Sequence, residues 1–136
     1  MVKGIYLGKE ITVSIVNKIG VLADMSKVLS DHGINIEAVS GQSSEDNTAK
    51  IVFVTDDNLR AVDALKKAGY KSIKETETII IELENKPGAL KNITSALVQK
   101  EIDIQHIYGT ACVSGCPSRV VLSTSDNQKA LLMLKK

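Results

Sequence analysis

The sequence predicts an α+β protein made of two βαββαβ modules, each an antiparallel sheet with its helices on one face. Three observations predict it. The 136-residue chain is similar to itself at an offset of 68. Within each copy the apolar period changes from alternation to a three-and-four spacing and back, as strands and amphipathic helices require. Gly, Asn and Asp stand at the changes of period, where turns and helix caps belong.

The repeat runs in order along the whole chain. Lys3, Ile5 and Ile11 meet Lys71, Ile73 and Ile79. Asn17, Lys18, Gly20 and Leu22 meet Asn85, Lys86, Gly88 and Leu90. Leu29, Ile34, Ile36, Gly41 and Val52 then meet Leu97, Ile102, Ile104, Gly109 and Val120. One inserted residue after Val120 makes the offset 69, and Asp57, Asn58, Ala61 and Leu65 meet Asp126, Asn127, Ala130 and Leu134. The repeat units are roughly 2–69 and 70–136.

Each element follows from its pattern. Residues 2–7, like 70–75, form a short mixed run suited to an edge strand. Ile11, Val13 and Ile15 alternate with Thr12 and Ser14 as a half-buried strand does, and Ile79, Ile81 and Leu83 repeat the alternation. Leu22, Met25, Val28 and Leu29 fall on one helical face, and Gly33 stops the helix as a C-terminal cap. Leu90, Ile93, Ala96 and Leu97 are the second copy of that stripe. Residues 34–41 and 49–55 read as two strands separated by the turn-rich 43–47; residues 102–111 and 118–123 match them, with Gly115 and Pro117 between. Asp57 or Asn58 caps a final helix that ends at Gly69, and its partner starts near Asp126 and reaches the terminus, where Lys135 and Lys136 complement the helix dipole.

Counted from Ile11, the modules are 10–77 and 78–136. The first takes its fourth strand from the run after Gly69. The second ends at its helix and lacks one. Residues 2–8 align with the first module's fourth strand, so they are expected to supply the missing strand, within the chain or in a partner chain.

Composition limits the function. Formal net charge is +1, from 17 basic and 16 acidic residues, without a long run of either sign. Neither a nucleic-acid nor a membrane-surface protein is expected from that balance. Three Tyr, one Phe and no Trp give little material for stacking bases. No apolar run approaches the roughly 20 residues of a bilayer span, and the start is too soon interrupted for a signal peptide. A cytoplasmic protein is expected, and Cys112 and Cys116 then read as thiols.

The chemistry concentrates in the repeated stretch, Asn17-Lys18-Ile19-Gly20-Val21-Leu22 and Asn85-Lys86-Pro87-Gly88-Ala89-Leu90. Each follows a strand and opens a helix. Unpaired N–H groups at a helix start favour a carboxylate. The Asn side chain accepts from an ammonium and donates to a carboxylate, which suits an α-amino acid. The same residues also make ordinary tight turns. The loop alone leaves both readings open.

These stretches, the Gly33-Ile34-Asn35-Ile36 entry to the second strand and the doubled topology resemble a tandem ACT-domain protein, a small amino-acid-binding regulatory module in duplicate. The resemblance covers nearly the whole chain and implies ferredoxin-like modules. It implies ligand contacts at Asn17, Ile19, Gly20, Val21 and Leu22, and at Asn85, Pro87, Gly88, Ala89 and Leu90. From the second strand it implies Asn35 and Ile36, with Asp103 and Ile104 at the matching positions. Ile19 stands where Pro is usual, and Asp103 where Asn is usual. An acid at 103 repels a carboxylate and holds an ammonium, so the two modules differ in site use.

Other candidates were weighed against plainer roles. Cys112 and Cys116 lack the spacing and the fourth ligand of a zinc site, despite His106 nearby. By parity His106 and Tyr108 share a face with Ile102 and Ile104 unless a bulge intervenes, and so form a half-buried pair or a pair beside another module's ligand loop. Leu131-Leu132-Met133-Leu134 is apolar nearly all round where the first copy has Asp63, which points to a homodimer. No catalytic set, metal or cofactor is read. Two functions remain: a sensor that binds an amino acid or similar small carboxylate and regulates a partner enzyme or transcription factor, or an interaction module with vestigial loops.

Overall fold

The computed structural model describes residues 2–111 and 115–135. Cys112 and Lys136 lie outside them. Among the described residues are six strands and four helices: β1 (Val2–Val16), α1 (Val21–Asp31), β2 (Ile36–Ser43), β3 (Thr48–Thr55), α2 (Asn58–Lys67), β4 (Ile73–Leu83), α3 (Ala89–Gln99), β5 (Ile104–Gly109), β6 (Ser118–Thr124) and α4 (Asn127–Leu134). The chain divides into two compact units, Lys9–Thr76, and Met1–Gly8 with Glu77–Lys136. β1 and β4 each contribute residues to both.

In Lys9–Thr76 the strand order is β2-β3-β1-β4. β1 pairs antiparallel with β3, from Ile11 opposite Phe53 to Val16 opposite Thr48, and β3 pairs antiparallel with β2. Alternation puts Ile11, Val13, Ile51 and Phe53 on one face. There they bury against Val21, Met25 and Leu29 of α1 and Ala61 and Leu65 of α2. Truncating a side chain as enclosed as Leu29 to Ala costs about 2–5 kcal/mol.

The other unit is ordered β5-β6-β4-β1. Its core joins Ile79, Ile81, Val120 and Leu122 to Ala89, Ile93 and Leu97 of α3 and Ala130 and Leu134 of α4. Val2, Ile5 and Leu7, from the first half of β1, pack against that core within the same chain. A Cβ at Gly8 would come within 2.7 Å of Ile80 Cδ1, so a side chain there would make the end of Ile80 shift. Ile11, Val13, Val21, Met25, Leu29 and Ile34 hold core positions in one unit, and Ile79, Ile81, Ala89, Ile93, Leu97 and Ile102 hold them in the other.

The last helix of each unit starts through the same network. Asp57 Oδ1 accepts from Arg60 N–H at 3.1 Å and Asp126 Oδ1 from Lys129 N–H at 3.0 Å, the N-caps of α2 and α4. Asn58 Oδ1 accepts from the backbone and hydroxyl of Thr55, and its Nδ2 donates to Lys9 O at 2.9 Å. Asn127 repeats this with Thr124 and with Glu77 O, at 3.2 Å for the latter. Each Asn therefore fastens a helix start to two strands, while the preceding Asp caps.

Four expectations change. The edge run 2–7 and the strand from Ile11 are one 15-residue strand, because nothing between them breaks extended backbone. The runs on either side of Glu77 likewise merge into β4, of 11 residues. The register sets Ile51 opposite Val13 and Val120 opposite Ile81, so Val120 answers Ile51 rather than Val52. The extra residue accordingly falls before β6. A bulge between Ile104 and His106 reverses parity, putting His106 opposite Ser123 and Tyr108 opposite Val121. The two rings lie 5.1 Å apart, and it is Ile107 that pairs with the core residue Leu122.

Candidate functional site

The loop from β1 to α1 is fixed at both ends. Asn17 N–H donates to Asn47 O at 2.8 Å, tying the loop to the β2–β3 hairpin. Gly20 is the N-cap of α1 in the left-handed region, φ 92°, where an L side chain is strained. No side chain caps this helix. Val21 N–H makes a long bond of 3.4 Å to Lys18 O, and Asp24 N–H is the donor to Gly20 O at 2.9 Å. The N–H groups of Leu22 and Ala23 precede the first intrahelical bond, so they are free for a ligand or water.

Beside them lies an open cleft of about 340 Å³. Asn17, Lys18, Gly20, Val21 and Leu22 form one wall; Gly41, Gln42 and Ser43 at the end of β2, with Ala49 and Ile51 of β3, form the other. The volume is in the range of small-molecule pockets. Strand direction explains the second wall. β1 and β2 are both antiparallel to β3, so they run parallel and end at the same edge.

The other unit repeats the arrangement. Gly88, φ 87°, is the uncapped start of α3, and Ala89 N–H donates to Lys86 O at 3.3 Å. A cleft of about 420 Å³ is lined by Glu84, Asn85, Lys86, Ala89 and Leu90, facing Gly109, Thr110, Ala111 and Ser118. Here Lys86 Nζ lies 2.9 Å from Glu84 Oε2. The hydrogen bond to Lys86, and then its charge, hold the Glu84 carboxyl below the usual carboxylate range.

Of the residues the family resemblance implies, Asn17, Gly20, Val21 and Leu22 meet in one cleft, and Asn85, Ala89 and Leu90 in the other. Ile19 is fully exposed outside the first lining, and Pro87 and Gly88 lie outside the second. Ile36 begins β2 and Asn35 precedes it, roughly 20 Å along the strand from its Ser43 end. Asn35 instead closes the strand entry: its N–H donates to Asp56 Oδ1 at 2.9 Å and its O accepts from Asp56 N–H at 3.1 Å. Asp103 does the same with Ser125, at 3.0 and 2.9 Å. Ile36 and Ile104 pack against the two cores. A separate groove of about 440 Å³ runs past Asn35 and Ile36 between Ser26, Ser30 and Gly33. Gln42, Ser43, Thr110 and Ala111 were missed, and strand direction was the signal that could have found them.

Cys116 is disulfide-bonded in this structure, not a free thiol. It sits just before β6; Cys112, the other residue read as a thiol, lies outside the described residues. His106 and Tyr108 line neither cleft. Among the described residues no group of three or more His, Cys, Asp or Glu is placed to hold a metal ion, and no helix is long and apolar enough to cross a membrane.

Comparison with known proteins narrows the family. No curated protein sequence matches the chain. By fold it is similar to a protein from Bacteroides thetaiotaomicron, TM-score 0.87 and 24% identity over 96% of this chain and 88% of the other. It is also similar to the ligand-free regulatory subunit of aspartate kinase from Thermus thermophilus, TM-score 0.70 and 16% identity over 98% and 96% of the two chains. The Thermus flavus regulatory subunit of aspartate kinase gives 0.67 and 18% over 98% and 94%. In sequence, residues 9–68 match the ACT domain, a stretch that includes Asn17, Gly20 and the whole first cleft.

Proposed function

We propose that the chain is a regulatory protein of two ACT modules that binds an amino acid, or a similar small carboxylate, in the cleft between the first loop and the β2–β3 hairpin. The observation that carries this reading is the overlap of the ACT match, 9–68, with the unit in which Asn17, the uncapped start of α1 and the end of β2 enclose one cleft. The ligand's carboxylate meets the free N–H groups of α1, and Asn17 accepts from its ammonium. The similar Thermus proteins are regulatory subunits of aspartate kinase, which supports a regulatory role.

The two-module count is supported by the matching core positions and the matching Asn58 and Asn127 networks. On this reading the modules are 10–77 and 78–136, with 2–8 as the fourth strand of the second; the compact units Lys9–Thr76, and Met1–Gly8 with Glu77–Lys136, support it. A homodimer through α3 and α4 is supported by exposed Val98 and Leu132 beside a shallow cleft lined by Lys100, Lys129 and Met133. Ligand binding then acts by favouring one arrangement of the protein over another, toward a partner enzyme or transcription factor in the cytoplasm.

Thermal-shift screening with the twenty amino acids is the test. At least one raises Tm in a concentration-dependent way, and Asn17→Ala removes the shift. No shift with any of them would leave the interaction module with unused loops as the better reading.

A further inference from the structure

The two clefts share one loop design but differ in charge. Lys18 and Lys86 occupy matching positions, so each cleft receives one lysine. In the second cleft Glu84 stands in the same wall and pairs with Lys86 at 2.9 Å. The residue at the position of Glu84 in the first repeat is Val16. No Asp or Glu lines the first cleft, and Lys18 has no ion-pair partner among the described residues. The facing residues Gln42 and Ser43 are neutral hydrogen-bonding groups, where the second cleft has Thr110 and Ala111.

An α-amino acid bound through its two backbone charges is neutral overall. It satisfies the helix start and the Asn and leaves the lysine over. In the second cleft that lysine is already answered by Glu84. In the first it is not. We infer that the first cleft is selective for an amino acid carrying a second carboxylate, of the aspartate or glutamate class, with Lys18 as the group that selects it and Gln42 and Ser43 as its neutral support. In the second cleft the same ligand sets its side-chain carboxylate against Glu84 and is rejected. This rests on the ligand-binding reading above and adds the class of ligand and the cleft that takes it.

Isothermal titration of the whole chain with L-aspartate, L-asparagine, L-glutamate and L-glutamine tests it. One of the acids should bind with a stoichiometry of one per chain and about two- to fivefold more tightly than its amide, the scale of one exposed charge pair. K18M, at an exposed loop position, should bring the acid down to the affinity of its amide. E84Q should open a second site for the acid and raise the stoichiometry to two. Equal affinity for acid and amide, two equivalent acid sites in the unaltered chain, or a preference that survives K18M overturns the inference. If a neutral amino acid binds and neither acid does, this inference falls while ligand binding stands. If none of the twenty binds, both fall.

Discussion

Helices α1 and α3 end in the same geometry with different residues at the critical position, and that difference makes a quantitative test. After α1, Gly33 has φ 70°, Gly33 N–H donates to Ser30 O at 2.9 Å, and Ile34 N–H to Leu29 O at 3.0 Å. After α3 the matching residue is Glu101, φ 56°, with Glu101 N–H donating to Val98 O and Ile102 N–H to Leu97 O, both at 3.0 Å. This is the left-handed closure that helices normally give to glycine. An L residue held there costs about 1–2 kcal/mol, of which glycine's larger unfolded-state entropy offsets roughly 0.5–1 kcal/mol. Glu101→Gly should therefore stabilise by about 0.5–1 kcal/mol, which for a chain of this size raises Tm by about 2–4 °C. The reverse change is a control inside the same molecule. A Cβ at Gly33 meets nothing within 4 Å, so Gly33→Ala carries the conformational cost without a clash and should destabilise by a similar amount. Paired thermal and urea melts read both. If E101G leaves Tm unchanged or lowers it, the backbone at 101 is not strained, or the Glu101 side chain compensates for it, and the reasoning fails.

Two further outcomes follow from interactions described above. Asn58→Ala leaves the buried backbone N–H and hydroxyl of Thr55 without their shared acceptor and should cost about 1–3 kcal/mol in urea denaturation; Asn127→Ala should match it, and a cost below about 0.5 kcal/mol at both sites would show the networks to be incidental. Because Lys86 holds the Glu84 carboxyl low, the pair contributes to stability above the ordinary carboxylate value of 4.5 and loses that contribution as pH falls through the depressed folded value. Lys86→Met should return the Glu84 titration toward 4.5, followed by carboxyl NMR, and an unmoved titration would place the cause elsewhere.

The two kinds of sequence signal differed in reach. Of the stripes Leu22, Met25, Val28, Leu29 and Leu90, Ile93, Ala96, Leu97, the first members Leu22 and Leu90 are exposed, and Val21 and Ala89 take the core positions in the first turn. Met25, Leu29, Ile93 and Leu97 are buried as read, because burial on a helix face is a local, periodic requirement. The capping Asp57 and Asp126 were legible for the same reason, since a cap is chosen by its nearest neighbours. The continuity of β1 was not, because Gly8-Lys9-Glu10 reads as punctuation until Gly8 is seen packed against Ile80 within an extended strand. Nor was the parity of His106 and Tyr108, since one unpaired residue in a strand leaves no mark in the pattern but turns every later side chain over. At the site, the loop wall could be read residue by residue. The facing wall could not, because Gln42 and Ser43 are ordinary hairpin residues whose role comes from strand direction.

The division of β1 between the units has a consequence for synthesis. Val2, Ile5 and Leu7 leave the ribosome before every other element of the core they cover, which is finished only when α4 has emerged. The unit Lys9–Thr76 is continuous and can fold during translation, while residues 2–8 wait with an unpaired strand edge. A fusion or deletion at the amino terminus should thus be felt first around α3 and α4, at the opposite end of the sequence. Mutations at Val2, Ile5 or Leu7 should lower the yield of soluble chain more than they lower the stability of what has already folded.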